Sequence, residues 1–348
     1  MQRTLIIGDV HGCFEELQRL LRACEYRQGD RLIFVGDLLA KGPESLAVLR
    51  EVRALGAECI LGNHEALLLE CRRLRATGQA RPLGAGHQEV YESLEESDWD
   101  WLASLPLWVV LEDYNVEVVH GGRQSGCPLE AQEPSSLLSA RSQRPDGSLS
   151  ARIEEGQPWA SRWSGPREVV FGHDALRGLQ IYSFARGLDG GCVYGRELHA
   201  YLLPERRIVS VPAARAWCKP EGAALQLPKH YRSLPLGPLP RISPGQCEGI
   251  DLPPGGEWGA RPQALFYSDI HGRPRFYLNQ CRHIPLPLDA LSGDFWDAQG
   301  QLLECKTHGA RYRPQDGYCV EGPCQGEWLI PLAWRAGDEG AELLLPPL

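Results

Sequence analysis

Leu5-Ile6-Ile7-Gly8-Asp9-Val10-His11-Gly12 is the stretch on which the reading of this chain turns. Three apolar residues predict a short buried strand, and a glycine turn then presents a carboxylate and an imidazole. Glu15 to Cys24 follows with Leu17, Leu20 and Leu21 on one helical face. The same sentence of strand, polar cluster and helix is repeated downstream. Leu32-Ile33-Phe34-Val35 leads into Gly36-Asp37-Leu38-Leu39-Ala40-Lys41-Gly42-Pro43 and a helix over Ser45 to Leu55. Cys59-Ile60-Leu61 leads into Gly62-Asn63-His64-Glu65. Trp108-Val109-Val110 and Val116-Glu117-Val118-Val119 predict paired strands, the second ending in His120-Gly121-Gly122. Val169-Val170-Phe171 ends in Gly172-His173-Asp174. Strands alternating with helices predict an α/β domain whose site lies at strand C-terminal ends.

The residue types at those ends point to one chemistry. Hydrolysis of a phosphate ester or anhydride needs a hydroxide nucleophile and neutralisation of phosphoryl charge. Two cations about 3.5–4 Å apart supply both. Mixed carboxylate, imidazole and carbonyl donors suit Mn, Fe, Zn or Co. A lone Asp-x-His is usually a turn, and Asn63 alone could cap a helix; five such clusters in order argue for a site.

These motifs resemble the calcineurin-like metallophosphatases, a family that includes protein serine/threonine phosphatases and diadenosine tetraphosphatases, over residues 1–215. The resemblance implies a β-sandwich flanked by helices and two divalent metal ions. It implies that Asp9, His11 and Asp37 hold one metal and that Asp37, Asn63, His120 and His173 hold the other, with Asp37 bridging. It makes His64 the general acid and Lys41 a phosphate ligand, with Arg141 as a second candidate for phosphate. Protein phosphatases usually carry Asp where this chain has Ala40, and that Asp orients the catalytic His. Here another group, water or a neighbouring carbonyl, is expected to hold His64. The run from Gly36 to Leu49 is more similar to the diadenosine tetraphosphatase branch, as are Phe171 to Ala175 with Arg177 to Gln180, and Leu188 to Gly195. Relatives often have Thr at position 190 and Ala at position 121, where this chain has glycine.

Length and composition bound the rest. The 348 residues carry 43% hydrophobic and 23% charged residues, which excludes a mostly disordered or fibrous chain. No apolar run approaches the ~20 residues needed to span a bilayer, and the start lacks a signal-peptide core. A soluble, cytoplasmic protein is expected. The net charge of −9 is spread over both parts, which argues against general nucleic-acid or membrane binding. Twelve cysteines in a reducing compartment read mostly as small buried hydrophobes.

Residues 1–225 are expected to form the phosphoesterase domain, 226–261 a Pro/Gly-rich linker, and 262–348 a small all-β domain. Residues 126–160 read as loop with some helix. In the C-terminal part, Cys281-Arg282-His283 and Cys305-Lys306-Thr307-His308 pair two thiolates with two imidazoles. That set can bind zinc tetrahedrally, or hold a [2Fe-2S] cluster with cysteines on one iron and histidines on the other. With Gly309-Ala310-Arg311-Tyr312, Asp316-Gly317 and Gly322-Pro323, the stretch resembles the Rieske domain family. The resemblance implies one [2Fe-2S] cluster on Cys281, His283, Cys305 and His308. High-potential members add one cysteine to each cluster loop; neither loop has one here, so the domain resembles the ferredoxin type. Cys319 and Cys324 read as structural, and the extra length at Ser292 to Gly300 as a protruding hairpin. Asp269-Ile270-His271-Gly272 repeats the letters of the first motif, but no helix follows it, and it reads as a hairpin turn.

The expected function is a metal-dependent hydrolase of a phosphoanhydride or phosphomonoester, with a dinucleoside polyphosphate favoured as substrate. Rival readings are a protein serine/threonine phosphatase acting on a phosphoprotein, and an electron carrier serving a redox partner protein. A third has cluster state gating hydrolysis.

Overall fold

A computed structural model describes residues 2–219, 229–239, 242–254, 258, 262–290 and 292–347. The chain divides into two compact units. The first holds Met1–Gln180, Ala185–Leu202 and Val209–His230; the second holds Ile181–Phe184, Leu203–Ile208 and Tyr231–Leu348.

The chain begins β1 (Thr4–Ile7), α1 (Phe14–Ala23), β2 (Arg31–Phe34), α2 (Ser45–Ala54), β3 (Glu58–Cys59) and α3 (Asn63–Ala76). Next come α4 (Ala85–Ser93), α5 (Glu96–Ala103), β4 (Trp108–Leu111), β5 (Val116–Val119) and α6 (Pro134–Ser139). β1, β2 and β3 are parallel, with Ile7 opposite Phe34 and Phe34 opposite Cys59. Their side chains are apolar on both faces because helices and a second sheet cover them: Leu5, Ile6, Ile7, Ile33 and Phe34 are fully buried. The α1 face built from Leu17, Leu20 and Leu21 packs into the same core, each such side chain contributing about 1.5–3 kcal/mol.

The stretch after α6 differs from the expected loop. Three two-residue strands, β6 (Ser142–Gln143), β7 (Leu149–Ser150) and β8 (Gln157–Pro158), form a small antiparallel sheet. Arg144 ties it together by donating to Glu155 and to the Leu149 carbonyl. Then follow β9 (Glu168–Phe171), β10 (Gln180–Tyr182), β11 (Ala185–Gly187), β12 (Glu197–Leu203) and β13 (Arg207–Pro212). β5, β9 and β11 are parallel neighbours, with β4 antiparallel at the edge beside β5. Strand C-terminal ends of both sheets therefore deliver Asp9, Asp37, His120, His173 and Asp189 to one place.

The second unit contains β14 (Arg232–Gly237), β15 (Cys247–Asp251), β16 (Gln263–Ser268), β17 (Pro274–Leu278), β18 (Leu303–Glu304), β19 (Arg311–Tyr312), β20 (Cys319–Glu321), β21 (Ala333–Gly337) and β22 (Gly340–Leu345). It has three small antiparallel arrays: β15-β16-β17, β18-β19-β20, and β14-β22-β21. Two segments of the stretch expected as linker, Arg232–Gly237 and Cys247–Asp251, are thus strand. β14 pairs with the far C-terminal β22 and β15 with β16; the rest of that stretch lies partly outside the described residues. Pro235 does not prevent β14 from pairing, because it lies on the edge strand of its array, where a missing N–H is tolerated. Asp269 to Gly272 is the turn joining β16 to β17, where Asp269 accepts the backbone N–H groups of His271 and Arg273. No described helix is long and apolar enough to cross a membrane.

Candidate active site and cluster site

Seven predicted residues, Asp9, His11, Asp37, Asn63, His64, His120 and His173, meet at the strand ends of the first unit. Three of them, His11, Asp37 and His173, have positive φ (47°, 51° and 67°), as do Ala40 and Lys41 (both 66°). Such strain survives only where surrounding bonds over-determine it. Here the Val10 and His11 N–H groups both donate to the Asp37 carbonyl, at 3.1 and 2.9 Å. The buried Glu65 carboxylate accepts the N–H groups of Asp37, Leu38 and Leu39 at 2.9, 2.9 and 3.1 Å. Gly36 is required where two loops touch: φ is +92°, and a Cβ there would lie 2.6 Å from the Gly62 nitrogen.

Three imidazoles are oriented by backbone carbonyls. His11 Nδ1 donates to Leu39 (3.0 Å), His120 Nδ1 to Val35 (2.7 Å) and His173 Nε2 to Ser139 (3.0 Å). A carbonyl only accepts, so in each neutral ring the other nitrogen presents a lone pair. Those lone pairs converge on acceptors. His120 Nε2 and His173 Nδ1 lie 3.0 and 2.8 Å from Asn63 Oδ1. Asp37 reaches His120 Nε2 with one oxygen (3.4 Å) and His11 Nε2 with the other (3.5 Å). An all-acceptor cluster of this kind fits cations, and two groups, His11-Asp37-His64 and Asp37-His120-His173, have the compactness for one each.

The electrostatics agree. Burial and the neighbouring Asp189 carboxylate push the Asp9 carboxyl well above its usual range, and burial pushes Asp189 up to about 6. Burial opposes charge on His120, yet Asp37 and Asp9 push its pKa up to about 9. Without an ion this pocket recruits a proton, and a divalent cation answers the same field. Asp9 accepts the His173 N–H at 3.0 Å.

Lys41 Nζ lies 3.1 Å from His11 Nε2, at the edge of the cluster. Arg141 donates to the His173 carbonyl at 3.2 Å. It is held by a buried Asp174–Arg177 ion pair (2.7 Å), whose guanidinium donates to the Arg141 carbonyl. His64 donates its backbone N–H to Asp37 Oδ1, and its Nε2 faces Asp37 Oδ2 at 3.8 Å. The partner expected to be water or a carbonyl is a side chain instead. His87 Nε2, on α4, lies 2.7 Å from His64 Nδ1, and the rings are nearly parallel. Nothing local in Gly86-His87-Gln88 announces this role; only the packing of α4 against the loop after β2 brings it there. Burial, with the Lys41 ammonium and the adjoining His87 ring, lowers the His64 pKa to about 4 even against the pull of Asp37. At Gly190 a Cβ would meet the Glu197 carbonyl at 2.2 Å, so the glycine is required here.

In the second unit Cys281 and Cys305 are buried while His283 and His308 are exposed, their rings perpendicular with centroids 4.8 Å apart. Burial opposes charge on both sulfurs; the Tyr312 hydroxyl and the N–H groups of His283 and Ile284 still hold the Cys281 pKa below its usual value, whereas the N–H groups of His308 and Thr307 do not offset burial and the neighbouring Cys281 at Cys305, whose pKa is raised. Buried sulfur donors and exposed imidazoles fit a two-iron cluster with its histidine iron outward. Tyr312 Oη lies 3.2 Å from Cys281 Sγ and 3.0 Å from Cys324 Sγ, and Cys319 Sγ is 3.6 Å from Cys324 Sγ. Cys319 and Cys324 are therefore not remote from the cluster site, as their sequence position suggests, but linked to it through one hydroxyl.

Residues 2–209 match the family model described as calcineurin-like phosphoesterase, and residues 248–333 match the Rieske [2Fe-2S] domain. A symmetrical bis(5'-nucleosyl)-tetraphosphatase of Aromatoleum aromaticum is 30% identical over 270 residues, 60% of this chain and 96% of that protein. An asymmetrical bis(5'-nucleosyl)-tetraphosphatase of Oceanobacillus iheyensis is 27% identical over 59% of this chain and 90% of its own length. A crystal structure provisionally described as a diadenosine tetraphosphatase superposes with TM-score 0.56 at 37% identity, over 61% of this chain and 94% of that one.

Proposed function

This chain belongs to the calcineurin-like phosphoesterase family and is a metal-dependent hydrolase carrying a Rieske [2Fe-2S] domain, and we propose that it cleaves a phosphoanhydride bond of a dinucleoside polyphosphate. The observation that carries the proposal is the all-acceptor cluster at the strand ends, together with Ala40 in place of the carboxylate that protein phosphatases carry. Asp9, His11 and Asp37 would hold one divalent ion, and Asp37, Asn63, His120 and His173 the other. Bound there, such a pair supplies a hydroxide nucleophile and neutralises phosphoryl charge.

The remaining residues bind and move protons. Lys41 holds a phosphate oxygen at the His11 edge, and Arg141 holds one at the His173 edge. Arg141 is oriented from behind by the Asp174–Arg177 pair, while Lys41 gives up His11 Nε2 to the metal when it turns to phosphate. His64 protonates the leaving oxygen from Nε2. His87 Nε2–H donates into His64 Nδ1, so the single proton of a neutral His64 sits on the nitrogen that faces the site. The low pKa leaves the ring neutral at rest with its N–H aimed at the leaving oxygen; as that oxygen gathers charge the proton moves to it, and a proton from solvent returns to the ring. Glu65 keeps Asp37 in its strained conformation.

We assign the Rieske domain to electron transfer or redox sensing, a reading supported by the exposure of the His283 and His308 imidazoles that would hold the cluster. The test is hydrolysis of diadenosine tetraphosphate against a phosphoserine peptide, with Mn²⁺, on air-oxidised and dithionite-reduced protein. Faster nucleotide cleavage supports the substrate; two ADP or ATP plus AMP identifies the bond. Faster peptide cleavage overturns it. Equal rates in both redox states exclude gating.

A further inference from the structure

A cavity of about 520 Å³ adjoins the metal cluster and is used by none of the steps above. Its walls come from the loop after β2, the start of α2, one face of α4, and Trp217. Lys41 belongs to both places: it lines the cavity and its ammonium lies 3.1 Å from His11 Nε2. A ligand with phosphate at the cluster can therefore extend past Lys41 into this space. The volume is within the roughly 300–1,000 Å³ of small-molecule sites.

The lining changes character away from Lys41. Leu46, Val90 and the Trp217 indole offer apolar and aromatic surface. The Arg215 guanidinium lies over the Trp217 ring at 4.0 Å, which braces the indole. Glu44, Glu89 and Ser93 supply the polar groups. Among the described residues neither carboxylate has an ion-pair or hydrogen-bond partner. Two free carboxylates repel phosphate and accept hydrogen bonds from amino and hydroxyl groups. The cavity thus has a cationic mouth at the cluster and an aromatic, hydrogen-bond-accepting interior. A nucleoside joined to a phosphate chain has that same order: anion, then ribose hydroxyls, then a flat base with donor groups.

We infer that this cavity is a nucleoside subsite, in which Trp217 stacks on the base and Glu44 and Glu89 accept from base or ribose. The inference deepens the proposed function and rests on its reading of where phosphate sits. It makes Trp217, Glu89 and Ser93 specificity-determining residues rather than catalytic ones, since none touches the reacting atoms.

The test compares inhibition by ADP with inhibition by inorganic pyrophosphate, read on p-nitrophenyl phosphate hydrolysis by the full chain with Mn²⁺. Trp217→Ala removes the stacking surface, and base–aromatic stacking is worth about tenfold to hundredfold in affinity. Ser93→Trp, at an exposed helix position that lines the same cavity, fills it without touching the core. Both variants are expected to raise the ADP inhibition constant at least tenfold relative to that of pyrophosphate, and Trp217→Phe to restore most of it. If the ADP-to-pyrophosphate ratio stays within threefold of wild type in both, the inference is overturned. If a phosphopeptide KM responds to both variants and ADP does not, the cavity takes a peptide side chain and the nucleoside assignment fails. If ADP responds as expected while wild type does not cleave diadenosine tetraphosphate, the subsite stands and the proposed substrate falls.

Discussion

The His64–His87 contact yields the sharpest prediction. His87→Phe keeps a ring of similar shape beside His64 but removes the donor 2.7 Å from Nδ1. The lost bond is a neutral one, worth about 0.5–1.5 kcal/mol. Its loss also frees the proton of His64 to sit on Nδ1, where it cannot reach the leaving oxygen. Together these amount to roughly 1.4–2.8 kcal/mol in the transition state, a tenfold to hundredfold fall in kcat. The ceiling is His64→Ala, since general acid catalysis contributes about 10²–10⁴. The assay is steady-state hydrolysis of phenyl phosphate and p-nitrophenyl phosphate with Mn²⁺. Phenol, with a pKa near 10 as in tyrosine, needs the acid; p-nitrophenolate leaves without much help. His87→Phe should therefore depress kcat on phenyl phosphate and leave p-nitrophenyl phosphate within threefold, with KM little changed. His87→Gln retains an N–H donor and should recover most of the loss. Equal losses on both substrates, or a Phe variant as fast as wild type on phenyl phosphate, would refute the positioning role.

Other consequences are measurable. Asn63→Ala and His120→Ala should each lower bound Mn²⁺ by about one equivalent in metal analysis and cut kcat at least ~10²-fold, with the Rieske absorption spectrum unchanged. The His64 pKa is lowered to about 4, first by burial and then by neighbouring groups, among them Lys41, against the pull of Asp37; in an NMR titration of the metal-free protein its imidazole should protonate well below the ordinary 6.5. Removing the Lys41 charge with Lys41→Met should move that midpoint to higher pH and raise the KM for a polyphosphate. Tyr312→Phe removes a hydroxyl from Cys281 Sγ. Donors to sulfur favour the electron-rich reduced cluster, so the midpoint potential should fall by about 40–60 mV, a hydrogen bond of ~1–1.4 kcal/mol expressed at 59 mV per tenfold; potentiometric EPR titration checks it. Cys281→Ser should abolish two iron atoms and the acid-labile sulfide per chain while the first unit keeps its Mn²⁺.

Both sites were legible in one dimension to the extent that their ligands are local. A strand end followed by a metal-type side chain with a glycine beside it is a pattern within eight residues, and Asp9, Asp37, Asn63, His120 and His173 each carry it. Cys-x-His and Cys-x-x-His are equally local. The second coordination layer left no such trace. His87 is an ordinary helical residue in sequence, and it becomes the partner of His64 only because α4 lies across the loop after β2. The carbonyls of Leu39, Val35 and Ser139 that orient the imidazoles have no residue signature, since every position has a carbonyl. Pro/Gly-rich composition also misled: β14 is a strand because β22, more than a hundred residues later, offers an edge to pair with. Cys319 and Cys324 lie outside both cluster loops in sequence, yet β19 and β20 bring them to the Tyr312 hydroxyl. By itself, then, the sequence determined the two chemistries and the residues that could hold their metals, because glycine turns and ligand spacing act over a few residues. Only the tertiary structure decided which groups orient those ligands and where a substrate can extend, because hydrogen bonds and cavity walls join residues that the chain keeps far apart.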